Sequence, residues 1–163
     1  MTSTIALSAF FIGAIAGLRT MTAPAFVAWA ARLGRLRLDG TLLSFLGLPL
    51  TAWVFTALAL GELVGDKLPS TPARTRPGPF VARIVSGAVC GGAITAGTGG
   101  ALAVGAVLGA IGAVAGTIGG YNARVRLVPA LNVPDSVVAL VEDLVAVGGA
   151  LLIVSELSGV GAR

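Results

Sequence analysis

The 163-residue chain has no histidine, one cysteine, one tyrosine and few charged side chains, eleven basic and seven acidic. Each shortage excludes something. Without histidine the commonest metal ligand and general base are missing. Cys90 stands alone in an apolar run, so neither an intrachain disulfide nor a cysteine-based metal site is possible within one chain. No G-x-S-x-G elbow, phosphate-cradling G-x-x-x-x-G-K loop or acidic cluster suited to Mg²⁺ occurs, so no catalytic residue, metal or cofactor is expected. Charged residues make up 11% of the chain, against about 25% in a soluble domain. That is too few to cover a water-facing surface.

What the chain has instead is apolar length. Hydrophobic residues are 56% of it, and the mean hydropathy is +0.97. From Ile84 to Ala123 no residue is charged, a stretch that accommodates two spans of about 20 residues each. The net charge of +4 would point to nucleic acid in a soluble protein. Here the basic residues sit in connectors between apolar runs, where Lys and Arg anchor helix ends, so nucleic acid is not an expected partner. The fold expected is an all-α membrane protein, a compact bundle of about five transmembrane helices with short broken or re-entrant pieces, lying in the bacterial inner membrane with the lipid bilayer as its partner.

The five expected spans are Ser3 to Leu18, Leu42 to Gly61 with Pro49 inside it, Phe80 to Thr98, Ala101 to Gly120, and Ser136 to Leu157. Pro79 and the Pro134-Asp135 pair mark the starts of the third and fifth. No basic residue precedes the first apolar stretch and no clear cleavage site follows it, so it reads as a retained span rather than a signal peptide. Thr20 to Ala31 and Leu127 to Val133 are too short to cross as straight helices and read as re-entrant, interfacial or half-helix pieces. The connector from Lys67 to Arg83, with Pro69, Pro72, Pro77 and Pro79, reads as an extended polar loop.

The halves on either side of that loop share three markers in the same order. Ile12-Gly13-Ala14-Ile15-Ala16-Gly17 matches Ile111-Gly112-Ala113-Val114-Ala115-Gly116 at an offset of 99. Pro24-Ala25-Phe26 matches Pro129-Ala130-Leu131, and Gly61-Glu62-Leu63-Val64-Gly65 matches Ser155-Glu156-Leu157-Ser158-Gly159, at offsets of 105 and 94. The chain thus divides into one transmembrane domain with a half at 1–69, a loop and connecting helix at 70–100, and a half at 101–163. With five spans the matching segments would be antiparallel, which is an inverted-topology repeat of the kind many transporters use.

Glycines recur at a spacing of four in Gly13/Gly17, Gly87/Gly91, Gly105/Gly109 and Gly112/Gly116/Gly120. They would share a helix face and admit close backbone approach, within one chain or across a homo-oligomer interface.

Few polar residues remain to carry a function. Each half has a polar break before its short piece, Leu18-Arg19-Thr20 in the first and Gly119 to Arg124, with Asn122, in the second. Paired interruptions of this kind point to a transporter binding site; the plainer reading is two helix ends with Arg at the headgroups. Glu62 and Asp66 lie four apart at the end of the second span beside Lys67, either a solvated terminus or part of a site. Glu142 and Asp143 fall about seven residues into the fifth span, roughly 10 Å along it. Ionisable groups at such depth face the bundle interior and mark ion or substrate paths. Arg19, Arg124 and Arg126 are their natural partners, and an unpartnered carboxylate there would hold a proton.

Gly17-Leu18-Arg19 followed by Pro24, and Glu62-Leu63-Val64-Gly65-Asp66-Lys67-Leu68-Pro69, resemble an uncharacterised family of small bacterial membrane proteins with a G-L-R start and an E-x-x-x-D-K-x-P element. The resemblance implies a membrane location and importance for Arg19, Glu62, Asp66, Lys67 and Pro69, but no activity.

The function expected is a small transporter or channel for an unidentified ion or small polar solute, proton-coupled through Glu142 or Asp143 and working as a homo-oligomer. The alternatives are a structural or accessory membrane protein and a scramblase-like lipid-handling protein, in which Arg74, Arg76 and Arg83 would attract phosphate.

Overall fold

The computed structural model describes residues 2–65 and 76–160, and every regular element among them is a helix. Six α-helices follow one another: α1 Ser3–Leu18, α2 Thr22–Arg32, α3 Pro49–Gly65, α4 Pro77–Gly97, α5 Leu102–Leu131 and α6 Asp135–Val160. One 3-10 turn, Ser44–Gly47, precedes α3. Three stretches are long and apolar enough to cross a membrane: Pro77–Gly97, Leu102–Leu131 and Asp135–Leu157. α1 and α3 are apolar but shorter, at 16 and 17 residues, or roughly 25 Å of helix each. Large apolar side chains such as Leu50, Trp53, Leu144 and Leu152 are more than half exposed. A protein with this surface and these helices is a helical membrane protein.

Several boundaries depart from the expected ones, each for a local reason. α3 begins at Pro49 rather than enclosing it, because proline has no N–H to lose at a first helical position. α4 begins at Pro77, so the last seven residues of the presumed polar loop are helical and Arg83 lies well inside the helix. The expected break at Gly119 to Arg124 does not occur. α5 runs through it as one helix of 30 residues to Asn132, whose left-handed backbone (φ 50°) ends it. Gly119 and Gly120 each cost the helix about 1 kcal/mol against alanine, but neither removes a backbone donor, so the hydrogen-bond ladder continues. Leu127 to Leu131 is therefore the end of α5 and no separate piece.

The helices run alternately up and down. The chain reverses after α1, and α2 runs beside α4 in the same direction. Ser86 bonds Thr20 at one end, and the Arg37 N–H donates to Gly97 O at 3.4 Å near the other. Glu62 meets Thr20, and the Trp29 ring stacks edge-on against Trp53 at 5.2 Å, so α3 opposes α2. α4 and α5 form an antiparallel hairpin through Gly87 with Gly109 and Gly91 with Gly105. Ile15 packs at Gly149 on α6, and Arg19 meets Asp143.

α1 and α5, which an inverted repeat would set antiparallel, run parallel. The reason is the segment from Thr20 to Ala31. It forms a whole descending helix, and that one added reversal changes the direction of every element after it relative to a five-span count. The 99-residue offset is nonetheless visible in the contact. A Cβ on Gly13 would meet Gly109 O and one on Gly112 would meet Phe10 O; likewise Gly17 meets Ala113 O and Gly116 meets Ala14 O. Shifting the α1 partner forward and the α5 partner back by 99 turns each contact into the other, so the α1–α5 seam has a local two-fold relation about an axis along the helices.

This seam and the α4–α5 seam are built on glycine. Added Cβ atoms would lie 2.0 to 2.3 Å from carbonyl oxygens at Gly13, Gly17, Gly91, Gly105, Gly109, Gly112 and Gly116, distances at which the helices must separate. Backbones this close gain dispersion and Cα–H···O contacts that lipid cannot replace. Gly109→Ala, whose methyl would sit 2.0 Å from Gly87 O, is expected to cost at least about 2 kcal/mol. Gly148→Ala in α6 meets nothing within 4 Å and should be neutral or stabilising by up to about 1 kcal/mol. Reversible unfolding in detergent micelles tests the contrast, and equal stabilities for the two variants would contradict backbone-to-backbone packing.

Candidate functional site

The turn between α1 and α2, Arg19 to Met21, lies inside the bundle, so the helix ends that meet there need partners other than water. They find them on α3, α4 and α5. Arg83 donates from Nη1 to Gly17 O at 2.7 Å and to Leu18 O at 2.8 Å, closing the carboxyl end of α1. The Thr117 hydroxyl donates to Gly17 O at 3.1 Å as well as to Ala113 O in its own helix. At the amino end of α2, Glu62 accepts the Thr20 N–H at 2.7 Å on Oε1 and the Met21 N–H at 2.8 Å on Oε2. Ser86 donates to Thr20 O at 2.6 Å. Arg83 Nη2 and Glu62 Oε1 are 3.8 Å apart. A cation at a helix C-terminus and an anion at an N-terminus each complement the helix dipole, so both ends receive the sign they favour.

Arg19 itself points elsewhere. It is fully buried and forms an ion pair with Asp143, tying the turn to the third turn of α6. Glu142, one residue earlier and about 100° around the helix, faces α5. Its carboxylate is 9% exposed and 4.0 Å from Arg124 Nη1. Arg124 also engages Asp135 in a two-pronged pair, with Nε donating at 2.6 Å and Nη2 donating to the second oxygen. Two charged clusters therefore lie on either side of α6.

The expected candidates distribute as follows. Arg19, Glu62 and Asp143 come together around the turn, and Arg124 and Glu142 form the second cluster. Asn122 is on the exposed face of the unbroken α5 and joins neither. Asp66 and Lys67 lie outside the described residues. Glu62 is no solvated terminus: its side chain is 12% exposed. Arg83, Ser86 and Thr117 were not singled out for this role. As a loop cation within reach of lipid headgroups Arg83 would be exposed, yet it is 4% exposed. The signal that would have found it is the helix-initiating Pro77, which puts Arg83 nearly two turns inside α4.

Two clefts approach the turn. One, of about 310 Å³, lies between α5 and α6 above the end of α1, and Leu18, Leu127, Val141, Arg124 and Glu142 are among its walls. The other, of about 230 Å³, lies between α2, α3 and α6, with Thr22, Trp29, Thr56, Leu60 and Val147 among its walls. Both are mainly apolar, with polar groups placed close to the charged clusters. No family model matches the chain, and no match was found to it among curated proteins or solved structures.

The arrangement holds buried and half-buried ion pairs, around the turn and beside α6. Its caps also predict stability. Glu62→Ala leaves the Thr20 and Met21 amides without their acceptor and should cost about 3 kcal/mol, an unsatisfied buried group being worth roughly 1–3. Glu62→Gln, which keeps one carbonyl oxygen, should cost less. Hydrogen exchange at Thr20 and Met21 should speed up in the alanine variant well beyond the global change; unaltered protection there would show that Glu62 does not cap α2.

Proposed function

We propose that the protein is a small transporter or channel of the bacterial inner membrane for an ion or small polar solute, coupled to protons and assembled as a homo-oligomer. In this reading α4, α5 and α6 cross the bilayer, α1 and α2 enter it as a re-entrant pair whose turn lies inside, and α3 runs alongside α2 past the level of that turn. The observation that carries the reading is the Arg19–Asp143 pair inside the bundle. Glu62 and Arg83 are accounted for by the helix ends they close. The Arg19–Asp143 pair joins two side chains across an apolar interior, where desolvation offsets most of the attraction between them. A charge pair that adds so little stability is retained for what it does, and in a membrane its natural use is to bind or relay charge.

The roles follow from position. Asp143 is the inner carboxylate that takes a proton or cation when Arg19 is released from it. Glu142, on the wall of the α5–α6 cleft, is the entry carboxylate, with Arg124 as its exchangeable counter-charge. The glycine seams keep α1, α4 and α5 rigid, so motion falls to α6.

Flux from proteoliposomes with an imposed pH gradient, across a panel of small ions and solutes, tests this. Wild-type protein should carry flux, and Glu142→Gln and Asp143→Asn should reduce it at least tenfold. Asp143→Asn also leaves Arg19 without its counter-charge and is expected to cost about 3–5 kcal/mol. The double variant Arg19→Met/Asp143→Leu separates the two effects: it should regain most of the stability and remain without flux. Full flux in the double variant would reduce the pair to a structural tie. No flux from wild-type protein over empty liposomes would favour a structural or accessory role.

A further inference from the structure

The two clefts meet the Arg19–Asp143 pair from different directions. Leu18 and Glu142, next to the paired residues in sequence, line the α5–α6 cleft. Thr22 and Val147, one helical turn further along from each, line the α2–α3–α6 cleft. The paired residues line neither, and stand between them.

The clefts are also offset along the bundle axis. Thr117 of α5 marks the level of the turn, since it bonds Gly17 O. From there the α5–α6 cleft extends toward the 131–135 end of the bundle as far as Leu127, ten residues or roughly 15 Å of helix. The other cleft extends the opposite way, from Thr22 to Trp29 down α2, seven residues or roughly 10 Å. Together they account for roughly 25 Å of a hydrocarbon core about 30 Å thick.

We infer that the two clefts are the two halves of one permeation path, opening to opposite faces of the membrane, and that the Arg19–Asp143 pair is the partition between them. This rests on the transport reading and adds to it the route and the closed point. α6 forms a wall of both clefts and carries Asp143, so a shift of α6 against the α1–α2 turn both parts the pair and joins the halves. The path carries charge past the pair by exchange: an incoming cation or proton replaces Arg19 on Asp143, or an anion replaces Asp143 on Arg19.

Cysteine accessibility tests the route. In a Cys90→Ala background, Leu127→Cys reports on the first cleft and Leu60→Cys on the second. Both positions are 42% or more exposed and tolerate the change. Leu152→Cys, 67% exposed on α6 and on neither cleft, reports on the lipid-facing surface. A membrane-impermeant methanethiosulfonate is applied from either side of oriented proteoliposomes, with flux measured on the same preparations. Leu127→Cys should be labelled from one side only, Leu60→Cys from the other only, Leu152→Cys from neither, and labelling in either cleft should block flux. Adding Arg19→Ala/Asp143→Ala should make each cleft cysteine reactive from the far side at least tenfold faster. Labelling of both cleft cysteines from the same side, or of neither while flux persists, would overturn the path and leave the transport reading standing. Absence of flux in every preparation would overturn the transport reading and the path with it.

Discussion

A chain that turns back inside an apolar bundle exposes the carboxyl end of one helix and the amino end of the next where there is no water to meet them. That constraint organises this protein. The turn at Arg19 to Met21 is affordable only because Arg83 takes the last carbonyls of α1 and Glu62 takes the first amides of α2. Satisfying them fixes three other elements. α4 must lie where Arg83 reaches Gly17 O, α3 must bring its last turns beside the start of α2, and α5 must present Thr117 to the same carbonyl. The interior polar groups are thus the registration marks of the bundle.

The glycine seams make this geometry reachable. Arg83 bonds the backbone of α1 directly, which requires α4 to lie close against α1, and α5 packs on both. Gly109 sits at the crossing of the two seams: Gly13 of α1 meets its carbonyl, and its own Cα faces Gly87 O of α4. A methyl at that crossing would push apart the helices that hold the caps. Packing and polar satisfaction therefore depend on each other, since without close helices the caps fall out of reach, and without caps the turn has no stable place among them.

Much of this was legible in the sequence, because much of it is local. The uncharged run from Ile84, the glycine spacing of four, the end of α1 at Leu18 and the start of α6 at Asp135 all follow from periodicity and capping, and the structure has them. Depth alone suggests Arg19, Arg124 and Arg126 as partners for Glu142 and Asp143, and the structure sets Arg19 against Asp143 and Arg124 near Glu142. What stayed hidden depends on direction. The apolar piece from Thr20 to Ala31 reads equally well as re-entrant, interfacial or half of a broken helix, and nothing local decides. The choice is made by Glu62 and Arg83, which lie about 40 and 65 residues away. The parity of the bundle hung on that choice, and with it the expectation of an inverted repeat. The supposed break at Gly119 to Arg124 failed for a different reason. Glycine weakens a helix by about 1 kcal/mol, and that penalty does not break a helix whose hydrogen-bond ladder continues through the position.

The two kinds of buried charge in this protein are not equivalent, and the difference separates framework from function. The partners of Glu62 and Arg83 are backbone groups, which no substitution removes. Replacing either side chain by an apolar one leaves amides or carbonyls stranded, so this pair is required by the fold whatever the protein does. Arg19 and Asp143 meet each other through their side chains, so replacing both by apolar ones of similar volume removes the two charges of the pair together. Buried ion pairs of that kind commonly add no net stability. The caps serve backbone groups that every sequence carries, whereas the Arg19–Asp143 pair joins two side chains, so of the two sets of buried charge it is the pair on which the transport reading draws.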